Sequence, residues 1–313
     1  MTVTVVGDVM LARRVATAAG DDPAAPLRPL AARLAAADLT VGNLESTLSR
    51  EGAPTQGGDS FGADPAVLEG LEHAGFDALS LANNHLGDYG PAALRTTVTR
   101  VARAGITPFG AGANLAVARK PAILRAGGLR FGFLAFNAIG ETPAATAASP
   151  GAVQLRMPPR TGPLNEGDLA AVQAQIRQLR DRVDVVVVLP HWGDQYTSRP
   201  VPAQRTVGRA LVDAGADLVV GGHPHVLQGV ELRRGKLIAH SLGNFVFDMD
   251  FSSRTMEGAF LELSFWGDEL KAADLVPYRM DGRFTPRAVE GAAARSVLAP
   301  VWPESGAPFS AGR

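Results

Sequence analysis

The chain has 313 residues and a mass of 32.6 kDa, and at 46% apolar and 19% charged it can bury a sizeable core and is too apolar for whole-chain disorder. Thirty Lys and Arg against 31 Asp and Glu leave a formal charge of −1, which gives no electrostatic footprint for nucleic acid or for an anionic membrane. There is no cysteine, so disulfides, thiolate metal sites and cysteine nucleophiles are excluded, and any metal must be held by His, Asp, Glu and Asn.

Taken in order, Thr2 to Val6 reads as a strand, with no charged leader and long apolar stretch before it. No window approaches the roughly 18 uninterrupted apolar residues of a membrane helix, so the expected compartment is the cytoplasm. A helix is expected around Leu27 to Ala37, a strand at Leu39 to Val41, and a helix near Pro65 to Ala74 with Asp64 ahead of a first-turn proline. Next come a strand at Ala78 to Leu81, a helix near Pro91 to Ala104 and a short strand at Thr107 to Phe109. Ala122 to Phe136 reads as a hairpin turning at Gly127-Gly128. A helix from about Gly167 to Val183 leads into Val185 to Leu189, apolar throughout and so of the type buried on both faces. A helix near Pro202 to Ala214 precedes a strand at Leu218 to Val220. Val230 to about Arg279 reads as successive hairpins, with turns at Arg234-Gly235 and Gly267-Asp268.

Glu141 to Pro163 is too rich in Ala, Thr, Pro and Gly for a regular element; it is expected to be a surface excursion or a loop over the active site. One domain is expected over residues 1–290, with 291–313 as a loosely packed tail.

The polar groups recur where strands end. Gly7-Asp8 follows the first strand, Gly42-Asn43-Leu44-Glu45 the second, and Asn83-Asn84-His85 the third. His191-Trp192-Gly193 follows the apolar strand, and Gly221-Gly222-His223-Pro224-His225 the next one. In open α/β sheets ligands bind at the carboxyl ends of strands, so these five segments can converge on one rim. Imidazole, carboxylate and amide oxygen without sulfur suit Mn²⁺, Zn²⁺ or Fe²⁺. Singly, Asp8 could cap a helix and Asn84 could make a turn. His223-Pro224-His225 is more pointed, because two imidazoles held side by side call for a shared anion or metal.

Together the segments resemble the poly-γ-glutamate capsule synthesis (CapA-like) family, a branch of the calcineurin-like metallophosphoesterase superfamily. The matching text is Gly7-Asp8-Val9-Met10-Leu11, Gly42-Asn43-Leu44-Glu45, Asn83-Asn84-His85 with Asp88-Tyr89-Gly90, and His191-Trp192-Gly193. It continues with Gly222-His223-Pro224-His225-Val226-Leu227-Gln228 and Ser241-Leu242-Gly243-Asn244-Phe245, in family order. The resemblance implies an α/β fold, a four-layer αββα sandwich of the calcineurin-like metallophosphoesterase type, with one or two divalent metal ions on loops at one end. It implies Asp8, Glu45, Asn84, His191, His223 and His225 as metal ligands, Asn43 as ligand or outer support, and His85 as the group acting on the leaving atom. Two positions depart from the wider superfamily pattern: Met10 stands where a ligand His is usual, and Asn43 where an Asp bridges two metals.

The leading expectation is a metal-dependent hydrolase cleaving a phosphate ester with a metal-activated hydroxide, His85 donating the proton to the leaving oxygen. Arg13, Arg14, Trp192, Tyr196 and Asn244 are candidate contacts for a small or peptide-like anionic substrate. His240 is expected to be a buried, hydrogen-bonded histidine, and His73 to lie on a helix surface. A metal-dependent amide hydrolase or amide-forming enzyme on glutamyl-type molecules is the second reading, and a non-catalytic part in polymer assembly the third. No P-loop is present. Gly58-Asp59-Ser60-Phe61-Gly62 matches Gly-x-Ser-x-Gly, but no strand precedes it, so Ser60 is expected in a loop.

Overall fold

The structure is a computed structural model and describes residues 1–309. Strands in chain order are β1 (Thr2–Val9), β2 (Leu39–Leu44), β3 (Ala78–Ser80), β4 (Thr107–Phe109), β5 (Ala111–Gly112), β6 (Ala122–Ala126), β7 (Leu129–Asn137) and β8 (Gly151–Ala152). They continue with β9 (Val185–His191), β10 (Leu218–Val220), β11 (Val230–Arg233), β12 (Lys236–Ala239), β13 (Asn244–Val246), β14 (Glu257–Trp266), β15 (Glu269–Met280) and β16 (Pro286–Ala288). The α-helices are α1 (Arg13–Ala19), α2 (Arg28–Ala35), α3 (Val67–His73), α4 (Gly90–Arg103), α5 (Leu115–Ala118), α6 (Glu166–Arg180), α7 (Pro202–Asp213) and α8 (Gly291–Leu298).

Two sheets pack face to face. The first runs β16-β15-β14-β1-β2-β3-β4, with β13 also pairing on β1; the second runs β11-β12-β10-β9-β7-β6. Their facing sides share one core, in which Phe109 of β4 meets Phe133 of β7 and Phe131 meets Phe265 of β14. Strand β9 shows why its sequence is apolar without alternation. Val185, Val187 and Leu189 enter the core between the sheets, while Val186 and Val188 face a second core formed with Leu169, Val172 and Ile176 of α6 and Val207 and Leu211 of α7. Helices α2, α3 and α4 cover the first sheet from outside with Leu30, Leu34, Leu71, Leu94 and Val101. The result is the four-layer αββα sandwich.

The last strands are only partly hairpins. β11–β12 and β14–β15 turn where expected, but β12 pairs in parallel with β10 and β13 in parallel with β1. The chain therefore crosses from the second sheet to the first between Ala239 and Asn244, and this crossing carries the 241–245 segment past the end of β1.

One expectation is corrected. The segment 141–163 is not a surface excursion throughout: β8 pairs with β5, and Ala145, Val153, Leu155 and Met157 are buried. Within 291–309, α8 buries Val297, and Ser305 Oγ accepts the Val230 N–H at 3.0 Å. The remaining tail positions, 310–313, lie outside the described residues. Among the described residues no helix is long and apolar enough to cross a membrane.

Candidate metal centre

Register alone brings the first ligands together. In the first sheet Asp8 pairs with Asn43 on β2 and with Asn244 on β13, so the end of β1 lies between two amide side chains. In the second sheet His191 ends β9, opposite Asn137, and bridges to Gly222. Glycine makes the close approach possible at two points: a Cβ on Gly222 would stand 2.4 Å from Asp8 Oδ1, and one on Gly7 2.0 Å from Gly243 O.

The structure gathers Asp8, Glu45, His191, His223 and His225 into one buried cluster, with ligand-capable atoms forming two triads, Glu45-His191-His223 and Asp8-Glu45-His225. Glu45 is the residue common to both. Its Oε1 is fully buried, has no hydrogen-bond partner among the described residues, and faces His191 Nε2 at 3.7 Å, His225 Nε2 at 3.8 Å and His85 Nε2 at 3.9 Å. A buried carboxylate oxygen left unpaired costs free energy unless a cation supplies what the protein does not. His223 gives the same sign, since it is fully buried and both of its ring nitrogens are unpartnered. The residues present therefore fit a divalent cation.

The imidazoles are prepared for it. His225 Nδ1 donates to Asn244 Oδ1 at 2.8 Å, and Asn244 is oriented by its own Nδ2 donating to Thr255 O at 3.0 Å, so the lone pair of His225 lies on Nε2, toward Glu45. His191 Nε2 stands 2.8 Å from Asn84 Oδ1, which sets the amide of Asn84 beside the imidazole. Burial first, then the neighbouring imidazoles, holds His191 and His223 well below the ordinary histidine value; burial lowers His225 to about 3. All three are thus neutral at pH 7, the form in which an imidazole can ligate a cation. Burial also raises Asp8 to about 6, and burial together with Asp8 raises Glu45 well above the ordinary carboxylate range.

The His223-Pro224-His225 segment reaches this arrangement by a route the sequence did not show. It is not extended: His223 has φ 93° and His225 φ 59°, both in the left-handed region that side chains rarely adopt. Such backbone persists only where surrounding contacts hold it; here the His223 N–H donates to Asp8 Oδ2 at 2.9 Å.

Beside the cluster, His85 stacks on Phe61 with ring centroids 3.7 Å apart and has its Nδ1 2.9 Å from Asp88 Oδ2. Asp88 in turn accepts from Gln56 Nε2 at 2.5 Å and from the Phe61 N–H at 2.6 Å. Asn83 ties the same loop to β2, and Thr142 Oγ1 accepts the Gly87 N–H at 2.9 Å, so segment 141–163 supports this loop. Asn83 and Asp88 lie within the motif text read from the sequence, which assigns them no role of their own; Gln56 carries no sequence signal.

The candidate substrate residues separate. Arg13 lies at the rim, ion-paired with Asp248, with its guanidinium 4.3 Å above the Phe61 ring and its buried Nε unpartnered. Tyr196 is half exposed, stacked over His225 at 6.0 Å and edge-on to exposed Phe251 at 5.1 Å. Arg14 instead pairs with Asp250 and with Asp248 O, its guanidinium 4.9 Å from the Phe284 ring centroid. Trp192 is fully buried against Phe136, its Nε1 donating to His240 O at 3.0 Å, so it is core and not pocket wall. Asn244 orients His225 rather than lining the rim. Met10 is buried and its Sδ accepts the Ala12 N–H at 3.1 Å. His240 is buried as expected but not hydrogen-bonded: both ring nitrogens are unpartnered, with Nε2 3.4 Å from Glu231 Oε1. Ser60 sits in a loop, its Oγ accepting the Gln56 N–H at 2.9 Å.

The chain is 32% identical over 288 residues to the capsule biosynthesis protein CapA of Bacillus anthracis, covering 88% of this chain and 67% of that one. It is 30% identical over 267 residues to the PGA biosynthesis protein CapA of Bacillus subtilis, covering 84% and 67%. Among solved structures, a Staphylococcus aureus protein provisionally named a 5′-nucleotidase superposes with a TM-score of 0.51 at 15% identity, over 95% of this chain and 57% of that one, a likeness of fold. The fold is the calcineurin-like metallophosphoesterase type. The model of the bacterial capsule synthesis protein family PGA_cap matches residues 2–249, which hold every residue of the cluster, and the chain belongs to that family.

Proposed function

We propose that the protein is a metal-dependent hydrolase acting on phosphate esters. The observation that carries this reading is Glu45 Oε1, unpaired and buried among three imidazole nitrogens at 3.7, 3.8 and 3.9 Å. The triads Glu45-His191-His223 and Asp8-Glu45-His225 are the groups that would hold a divalent cation, with Asn84 Oδ1 alongside His191. When bound, such a cation supplies Lewis acidity and lowers the pKa of water to about 7.

The chain's own residues supply the rest. His85 has Nδ1 held by Asp88 and Nε2 turned toward the cluster, which suits it to hand a proton from Nε2 to a departing oxygen. Phe61 keeps one face of that imidazole dry. Arg13 places a positive charge at the rim, where an anionic group entering the cluster would meet it.

A second reading, cleavage or formation of a glutamyl amide, draws support from the relatives, whose names attach them to capsule and PGA biosynthesis. The test is phosphate release from an aryl phosphate by metal-free protein before and after addition of Mn²⁺ or Zn²⁺, with glutamyl amides assayed in parallel. Metal-dependent phosphate release that is lost in Glu45→Gln supports the proposal. Amide turnover without phosphate release favours the second reading; no turnover of either, with the metal bound, sinks both.

A further inference from the structure

Two side-chain amides fix the polarity of the middle of the cluster. Asn83 Oδ1 accepts the backbone N–H groups of His85 at 3.1 Å and Leu86 at 3.0 Å, so the other end of that amide is its NH₂. This Nδ2 donates to Leu44 O at 2.8 Å and meets Asn43 at 3.0 Å. The atom of Asn43 it meets must be the oxygen, because two NH₂ groups cannot bond one another. Asn43 therefore turns its nitrogen inward, 2.9 Å from Asp8 Oδ1, 3.3 Å from Glu45 Oε2 and 3.3 Å from His191 Nδ1. Reversing it would set oxygen against both carboxylates and NH₂ against NH₂. The backbone polarity of residues 44, 85 and 86 dictates the orientation, and no rotation of Asn43 alone escapes it.

An amide N–H cannot ligate a cation, so Asn43, standing between Asp8 and Glu45, presents donors there and cannot itself bridge two ions. Charge points the same way. Asp8 and Glu45 are the carboxylates of the cluster, and Asp88 is already occupied by His85, Gln56 and the Phe61 N–H. Two carboxylates carry at most the charge of one divalent cation and leave a second uncompensated in a buried site.

We propose that the centre holds a single divalent cation, and that Asn43, locked by Asn83, is a positioning residue whose inward NH₂ aligns Asp8 and Glu45 and denies the place of a second ion. The proposal rests on the reading of this cluster as a metal centre. Its test is titration of the metal-free full chain with Mn²⁺, read by elemental analysis after removal of free metal and by electron paramagnetic resonance. The unaltered protein should retain one equivalent with the spectrum of an isolated ion. Asn43→Asp, which adds a carboxylate and an acceptor at the junction, should retain two equivalents with a spin-coupled spectrum. Asn43→Leu, which removes the donors, should retain one equivalent with affinity lowered roughly 10-fold or more. Two coupled ions in the unaltered protein would overturn the proposal while leaving the metal centre standing. Asn43→Asp retaining one ion would overturn the role given to Asn43. An unaltered protein retaining no Mn²⁺, Zn²⁺ or Fe²⁺ would remove the metal centre itself, so the two failures are told apart.

Discussion

His85 Nδ1 lies 2.9 Å from Asp88 Oδ2, and this contact fixes which ring nitrogen of His85 faces the metal cluster. Asp88 is buried and held by two further donors, so it cannot turn away without leaving them unpaired. His85→Asn should lower the rate of phosphate-ester turnover by about 10²–10⁴ with metal content unchanged. Asp88→Asn keeps the imidazole but loosens its tautomer and aim, and should cost roughly 10–100-fold in kcat with little change in KM. Loss of metal from the His85 variant, by elemental analysis, would instead make His85 a ligand.

Metal affinity should fall as pH drops through about 6. Burial raises Asp8 to about 6, and burial together with Asp8 raises Glu45 well above the ordinary carboxylate range, while burial lowers the imidazoles of His191, His223 and His225. The protons that a cation must displace on binding are therefore those of the carboxyls; the imidazoles already carry lone pairs across this range. The sign follows: with folded carboxyl values above the ordinary 3.8 and 4.5, acidification protonates Asp8 and Glu45 first and expels the ion. Calorimetric titration with Mn²⁺ at pH 6, in buffers of different ionisation enthalpy, should show proton release. Asp8→Asn should reduce the protons released, and an unchanged count would assign them elsewhere.

Much of this centre could be read from the chain because strand ends are short-range features. A buried strand followed by Gly-Asp or by Asn-Asn-His puts its polar group on the rim whatever the distant packing does, and Asp8, Glu45, Asn84, His85, His191, His223 and His225 all arrive there. What could not be read depends on pairing across the fold. The parallel addition of β13 to β1 makes Asn244 a partner of His225, and the crossing that achieves it looks like one more hairpin in the sequence. The support of the His85 loop by Thr142 joins residues 55 apart through a segment whose composition suggests only a loop. Trp192 misled for a different reason. It follows a ligand directly, but a residue after a strand end turns to the opposite face, here into the second core.

Gly222→Ala should weaken metal binding without unfolding the protein. The added Cβ would stand 2.4 Å from Asp8 Oδ1, well inside van der Waals contact, and Asp8 cannot retreat because its other oxygen holds the His223 N–H at 2.9 Å. Either Asp8 swings off Asn43 or the His223 turn shifts. Both spoil the ligand geometry, so a fall in affinity of at least about 10-fold is expected. Far-ultraviolet circular dichroism should match the unaltered chain, and unaltered Mn²⁺ affinity would show that the loop gives way at no cost.

Trp192 and Tyr196 should behave as opposites, although they stand four positions apart. Trp192 is fully buried between Phe136 and His240 and donates from Nε1 to a buried carbonyl, so Trp192→Phe removes ring volume and leaves His240 O without that donor. The expected cost is about 2–4 kcal/mol in denaturant unfolding, from the void and the unpaired carbonyl, with KM unchanged. Tyr196 is 45% exposed beside His225 and Phe251, so Tyr196→Ala should change stability by less than about 0.5 kcal/mol and raise KM. A Trp192 variant with raised KM and undiminished stability would return that ring to the pocket wall and contradict its place in the core.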